Sequence, residues 1–352
     1  MRSRYDLSRT ELAALLEGEP TYRTDQLTHG LYRDLLDPAE ITTLGKVLRE
    51  RLSQTNSLRP ALQTVVERRA DDGETIKWLS ELHDGKRVET VLMHYAERST
   101  VCVSSQAGCA MNCSFCATGQ AGFDRNLTAG EIVEQVVMAM RQARSDGRRL
   151  TNIVFMGMGE PLANFDRLWP AITRIHDDLG MGARHITVST VGVVPGIRRM
   201  TEESLPVNLA VSLHAANDEL RSTLVPLNKR YPIAELTDAC RDYTAAKGRR
   251  LSFEWALIHD VNDRQQDTRE LADIALPLGA HVNVIPLNPT PGYLVRGSSP
   301  DAVQRFVGEL RDLGVNATIR TTRGSDIDAA CGQLAAANTR VDVTLGTKKR
   351  AN

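Results

Sequence analysis

The sequence predicts an α/β protein built on a partial, parallel (β/α)6 barrel, with a small N-terminal helical domain and a β-hairpin connection. Three observations carry that prediction. From about residue 99, short apolar runs alternate with amphipathic helical stretches, the order expected of βα units around a parallel sheet. Several of the runs are near-continuously apolar, as strands covered on both faces are. Roughly six repeats fit into the chain, short of the eight in a closed barrel, so a lateral opening is expected.

The elements follow in order. Residues 1–70 read as a domain of short helices. Ser8-x-x-Glu11 has the form of a capping box ahead of Leu12, Leu15 and Leu16. Two further apolar sets run through Leu27, Leu31, Leu35 and Leu36 and through Leu44, Val47 and Leu48. Residues 71–98 read as a hairpin, with strands at 78–82 and 88–94 flanking Asp84-Gly85, a type I′ turn signal. Residues 99–346 form the barrel. Its strands are expected at 101–104, 153–156, 186–190, 208–213, 252–257, 282–285 and 317–320. Its helices are expected at 131–144, 168–179, 233–246, 268–275 and 302–313. Residues 347–352 are a basic tail, expected to fray.

Composition narrows the class. The chain has 352 residues, 41% hydrophobic and 25% charged, and a net charge of −1. No global field draws it to nucleic acid, so RNA contact must rest on local basic groups. Arg148-Arg149 and the basic groups at 247–250 and 348–350 are more often solvated surface than sites. No apolar run reaches the roughly 18 residues of a membrane span, and the start carries no apolar leader core. A cytoplasmic, monomeric protein is expected. Six cysteines in that setting argue against a disulfide framework.

Cys109, Cys113 and Cys116 form a CxxxCxxC triplet just after the first barrel strand. Three thiolates at this spacing can hold three corners of a [4Fe–4S] cluster, which normally takes four. The open iron is then a position where a substrate or cofactor can bind. The competing reading, a structural zinc knot, needs a fourth ligand, and no His or Cys lies within the next dozen residues. Inert buried cysteines are a third reading.

Other chemical groups fall at strand ends, where parallel βα folds gather their sites. Met156-Gly-Met-Gly-Glu160-Pro161 offers glycines for close backbone approach and a carboxylate for an ammonium. Ser189-Thr190, Ser212-Leu213-His214 and Asn288 end later strands. Singly, each is better read as a turn or cap; together they suggest one ligand. Cys331 lies far from the triplet in a run of small and polar residues suited to an accessible loop. On the strand leading to the triplet, alternation turns one of Cys102 and Val103 to the barrel interior. Cys240 fits a helical core pattern. Glu89 shares a strand face with Val91 and Met93, as either a paired core ion or a base with raised pKa.

Taken together, these motifs resemble one family. Residues 106–128, Q-A-G-C-A-M-N-C-S-F-C-A-T-G-Q-A-G-F-D-R-N-L-T, are similar to the signature of the RlmN/Cfr family of radical S-adenosylmethionine RNA adenine methyltransferases. F-M-G-M-G-E-P-L at 155–162, S-L-H-A at 212–215 and R-G-S-D-I-D-A-A-C-G-Q-L at 323–334 match it too, so the resemblance covers nearly the whole chain. Val191, where the pattern expects Ser or another small residue, departs from it.

The resemblance implies a radical S-adenosylmethionine partial barrel, with residues 1–70 as the family's small accessory domain, which could touch RNA. Cys109, Cys113 and Cys116 would hold one [4Fe–4S] cluster. Gly159, Glu160, Ser189, Ser212, Leu213, His214 and Asn288 would hold S-adenosylmethionine, consumed twice per turnover. Cys331 would carry the methyl carbon, Cys102 would resolve the covalent thioether by forming a disulfide with Cys331, and Glu89 would accept the ring proton. The product would be 2-methyladenosine in 23S rRNA and in tRNA, with an electron donor such as flavodoxin or ferredoxin and no membrane partner. Alternatives are attack on carbon 8 of the same adenine, a radical enzyme acting on a peptide or metabolite, and a zinc-stabilised RNA-binding module. The peptide or metabolite enzyme would not need Cys331 and Cys102 together.

Overall fold

In the computed structural model the described residues are 3–288, 295–321, 323–330 and 332–334. Cys331 and the tail at 347–352 lie outside them. Three short helices open the chain, Arg9–Ala14, Tyr22–His29 and Lys46–Gln54. The first starts on the expected box: the Glu11 N–H donates to the Ser8 hydroxyl and the Ser8 N–H donates to the Glu11 carboxylate. Asp6 ties this segment to the barrel. Its carboxylate accepts from Thr128 Oγ1 at 2.8 Å and from the Gly130 N–H at 2.7 Å. That is the start of helix Ala129–Ser145, where unpaired amides and the dipole favour a negative charge.

The helical segment stops short of residue 70. Leu62–Ala70 form strand β1, which pairs antiparallel with β2 (Thr75–Leu82). Pro60 resists helix continuation, and β-branched Thr64, Val65 and Val66 favour an extended chain. Glu67, Arg68 and Arg69 suit its edge position. β2 pairs with β3 (Arg87–His94) in the expected hairpin. Its turn is not type I′, which needs positive φ at both central residues. Between Asp84 and Gly85 only Gly85 has it, at 76°. The Asp84 carboxylate instead accepts from the Lys86 N–H and from Arg125.

The remaining strands are β4 (Ser99–Cys102), β5 (Gln106–Gly108), β6 (Phe123–Asn126), β7 (Leu150–Phe155), β8 (Ile186–Thr190), β9 (Asn208–Ser212), β10 (Leu251–Leu257), β11 (His281–Pro286) and β12 (Ala317–Ile319). β5 and β6 make a separate two-stranded sheet. Among the described residues the other ten run β1-β2-β3-β4-β7-β8-β9-β10-β11-β12. From β4 onward every pairing is parallel. Helices Ala129–Ser145, Phe165–Asp177, Val194–Glu202, Ile233–Lys247, Gln265–Ala275 and Pro300–Asp312 fill the crossovers, making six βα units. β4 and β12 stay apart, so the barrel is open as expected.

Helix Val194–Glu202 is not among the expected helices. Pro195 sits in the first helical turn, where its missing N–H costs nothing. Ile153, Phe155, Val188, Leu209, Phe253 and Val282 are buried along the strands. Each such side chain contributes roughly 1.5–3 kcal/mol.

Candidate active site

β5 and β6 clamp the two ends of the triplet loop. The Cys109 N–H donates to Gly122 O at 2.7 Å. Gly108 has φ 75°, and a Cβ there would lie 2.1 Å from Gly122 O, so only glycine lets the strands meet. Cys109, Cys113 and Cys116 line one cleft at the C-terminal ends of the strands. Burial pushes the Cys109 thiol up to about 12 and the Cys113 thiol well above its ordinary value. Thiols so placed ionise only against a strong nearby positive charge, which metal ligation supplies. Three soft sulfur donors converging on one cleft therefore fit an iron–sulfur cluster.

Glu160 lines the same cleft. Its carboxylate accepts from the Leu162 N–H at 3.0 Å and the Val191 N–H at 2.9 Å. Burial pushes its pKa up to about 7 despite these donors. The Glu160 N–H donates to Gln106 Oε1 at 2.8 Å. Gly159 has φ 96°, and a Cβ on it would meet the Gln106 side chain at 2.5 Å. Val191 contributes through its backbone: its N–H goes to Glu160 and its carbonyl accepts from Arg221 at 2.6 Å. A larger side chain is tolerated because it packs beside Phe115 and Ala215 in a small apolar cluster.

Ser189, Ser212, His214 and Asn288 line the same cleft. His214 has φ 61°. Its Nδ1 accepts from the Ala256 N–H at 2.9 Å, which places the ring proton on Nε2. Burial and Arg221 lower its pKa to about 3, so the ring stays neutral. It packs edge-on against Phe115 of the triplet loop, with centroids 4.5 Å apart. Leu213 is placed differently. Its side chain is buried in the main core, and its N–H and carbonyl already bond Glu254 O and Arg221 Nε.

Arg221 and Glu254 go unnoticed in the sequence. Arg221 is 1% exposed and donates to Leu213 O, Val191 O and Asn228 Oδ1, which locks the ends of β8 and β9 together. Glu254 lines the cleft, accepts from Asn283 Nδ2 at 2.8 Å and lies 3.7 Å from Arg320. Burial raises its pKa.

Of the pair at the end of β4, Cys102 faces the interior and Val103, the next residue, joins the main core. Cys102 lines a second cleft that shares Met156, Ile285, Asn288 and Arg320 with the first. Cys331 lies outside the described residues; Ala330 lines the second cleft and Gly332 the first. Glu89 is 6% exposed, and its Oε1 lies 3.3 Å from Lys77 Nζ. Lys77 Nζ also donates to Asp328 O at 3.1 Å, joining the hairpin to the segment before Cys331. An ion pair of this kind suits a core ion and equally fixes a carboxylate that is to take a proton, so both readings of Glu89 stand, and Glu89 is not among the residues that line either cleft.

Residues 103–272 match the Radical SAM superfamily model. A radical SAM methyltransferase from Sphaerobacter thermophilus superposes with TM-score 0.91 and 52% identity, covering 96% of this chain and 100% of that one. Parallel partial barrel, cysteine triplet and this likeness define a radical S-adenosylmethionine methyltransferase. The chain is 48% identical to the probable dual-specificity RNA methyltransferase RlmN of Roseiflexus castenholzii, over 94% of this chain and 95% of that one. The probable RlmN of Salinispora tropica is 49% identical over 95% and 92%. The chain belongs to the RlmN family.

Proposed function

We propose that the protein methylates carbon 2 of adenosine in 23S rRNA and in tRNA through a carbon carried on Cys331. The observation that carries this reading is the position of Cys102, on a second cleft that shares Met156, Ile285, Asn288 and Arg320 with the cleft of the triplet. A non-nucleophilic ring carbon cannot simply take a methyl cation. The [4Fe–4S] cluster, held by Cys109, Cys113 and Cys116, and S-adenosylmethionine supply the electron and the hydrogen-abstracting radical when bound.

The chain's own residues do the rest. Cys331 takes a methyl group on sulfur from a first S-adenosylmethionine. Its carbon, short of one hydrogen, bonds to the adenine ring. Glu89, held by Lys77, accepts the ring proton. The Cys102 thiolate attacks the Cys331 sulfur and breaks its bond to the new carbon, which keeps the bonding pair and takes up a proton. The adduct's one unpaired electron, equal to the one the donor supplied, is given back, and a disulfide is left that a reductant must open. A second S-adenosylmethionine is consumed in the radical step, with an electron from a flavodoxin- or ferredoxin-like donor. Among the described residues no helix is long and apolar enough to cross a membrane. The test is nucleoside mass spectrometry of unmethylated 23S rRNA treated with enzyme. 2-Methyladenosine is expected; 8-methyladenosine would overturn the carbon assignment, and no methyladenosine would overturn RNA as substrate.

Glu160 pairs with the S-adenosylmethionine ammonium in this account, which gives affinity a defined pH dependence. The Glu160 pKa, raised to about 7, means the carboxyl holds its proton below that pH and is charged above it. His214 stays neutral throughout the range and adds no compensating charge. Affinity of the cluster-loaded protein for S-adenosylmethionine should weaken about tenfold from pH 8 to pH 6. Equilibrium dialysis reads this directly. A flat profile would place the ammonium elsewhere.

A further inference from the structure

Tyr95 follows β3, and its N–H donates to Arg98 O at 2.8 Å in the turn before β4. Two guanidinium groups lie over its ring, Arg98 at 4.7 Å and Arg323 at 5.1 Å from the centroid. One comes from the turn, the other from the segment leading to Cys331. Among the described residues no carboxylate pairs with Arg98, and the carboxylate beside Arg323, Asp71, is 3.9 Å away. The Arg323 Nε is buried and has no hydrogen-bond partner among the described residues. A buried donor without a partner destabilises its surroundings until something accepts from it. Two like charges gathered on one ring repel each other, and an anion placed between them removes that cost. Tyr95 and Arg323 line the second cleft beside Cys102, and Arg320 continues the row inward to the first.

We propose that Arg98, Tyr95 and Arg323 form the platform that grips the substrate RNA strand at the mouth of the second cleft. The guanidinium groups take phosphate oxygens on either side of the target nucleotide, and their planes offer a stacking surface to an unpaired neighbouring base. A base that must leave its stack to react needs its flanking backbone held, and cationic groups with an aromatic ring do this on single strands. The proposal rests on the RNA reading above and adds where the strand is held.

The test uses the cluster-loaded double variant Arg98→Gln/Arg323→Gln with unmethylated 23S rRNA, measured by filter binding across a salt series. Affinity should fall at least about tenfold. The slope of log K against log salt should shrink by about 1.4, for two phosphate contacts on a single strand. The loss should appear in kcat/KM more than in kcat. Arg98→Lys/Arg323→Lys keeps both charges and should restore most of the slope. If the double variant loses its cluster, the single Arg98→Gln change at an exposed position carries the test, with about half the slope change expected. Unchanged affinity and slope, with wild type methylating RNA normally, would overturn the platform and leave the function standing. Wild type that neither binds nor methylates RNA would instead overturn the function.

Discussion

Replacing Cys109, Cys113 or Cys116 by Ala is expected to remove iron and turnover together in each case. Three sulfurs meet at one cleft, and three ligands leave no redundancy for a cubane that normally takes four. Burial raises the Cys109 and Cys113 thiols, so a cluster missing one ligand cannot count on the others being ionised in advance. The fold should survive. Cys→Ala removes one sulfur atom, and a cavity of that size costs on the order of 1 kcal/mol. Iron and sulfide analysis, visible absorbance and far-ultraviolet circular dichroism on the same sample separate the two outcomes. A mutant with near-complete cluster content would remove that cysteine from the ligand set.

Cys102→Ala is expected to stall the enzyme as a covalent adduct with RNA, whereas Cys331→Ala should form none. Cys102 sits among Val91, Met93, Met158 and Leu334. An alanine there keeps the apolar packing but removes the thiol assigned to attack the Cys331 sulfur. Product should fall below detection while a nuclease-sensitive slow band builds on a denaturing gel. Losing Cys331 removes the carbon carrier itself, so both product and band should vanish. If Cys102→Ala gives no RNA-sensitive band, the resolving thiol is another group.

The barrel was legible because its strands are buried on both faces and so read as apolar runs. The expected 186–190 coincides with β8 (Ile186–Thr190). The triplet and the Gly159-Glu160 turn were legible because close backbone approach and ligation restrict residue type at fixed spacing. β1 (Leu62–Ala70) was not, since much of its surface is exposed and no apolar alternation marks it. Arg221 was invisible because its partners are backbone carbonyls of separate strand ends, which no local pattern announces. Glu254 was hidden inside an apolar strand and gains meaning only from Asn283 and Arg320 on neighbouring strands. Glu89 stayed ambiguous for a related reason: Lys77, its partner, lies 12 residues earlier on the facing strand, and a single sequence does not pair them.

The central claim is that the new methyl group passes through Cys331 as a carbon that has lost one hydrogen. S-adenosylmethionine bearing a fully deuterated methyl group tests it most directly, with unmethylated 23S rRNA as substrate and mass analysis of the released nucleosides. Abstraction removes one deuterium, and release adds one proton from a protein group or solvent. The account predicts 2-methyladenosine whose methyl group carries two deuteriums. A methyl group carrying three would mean direct transfer from the sulfonium, and would contradict the account.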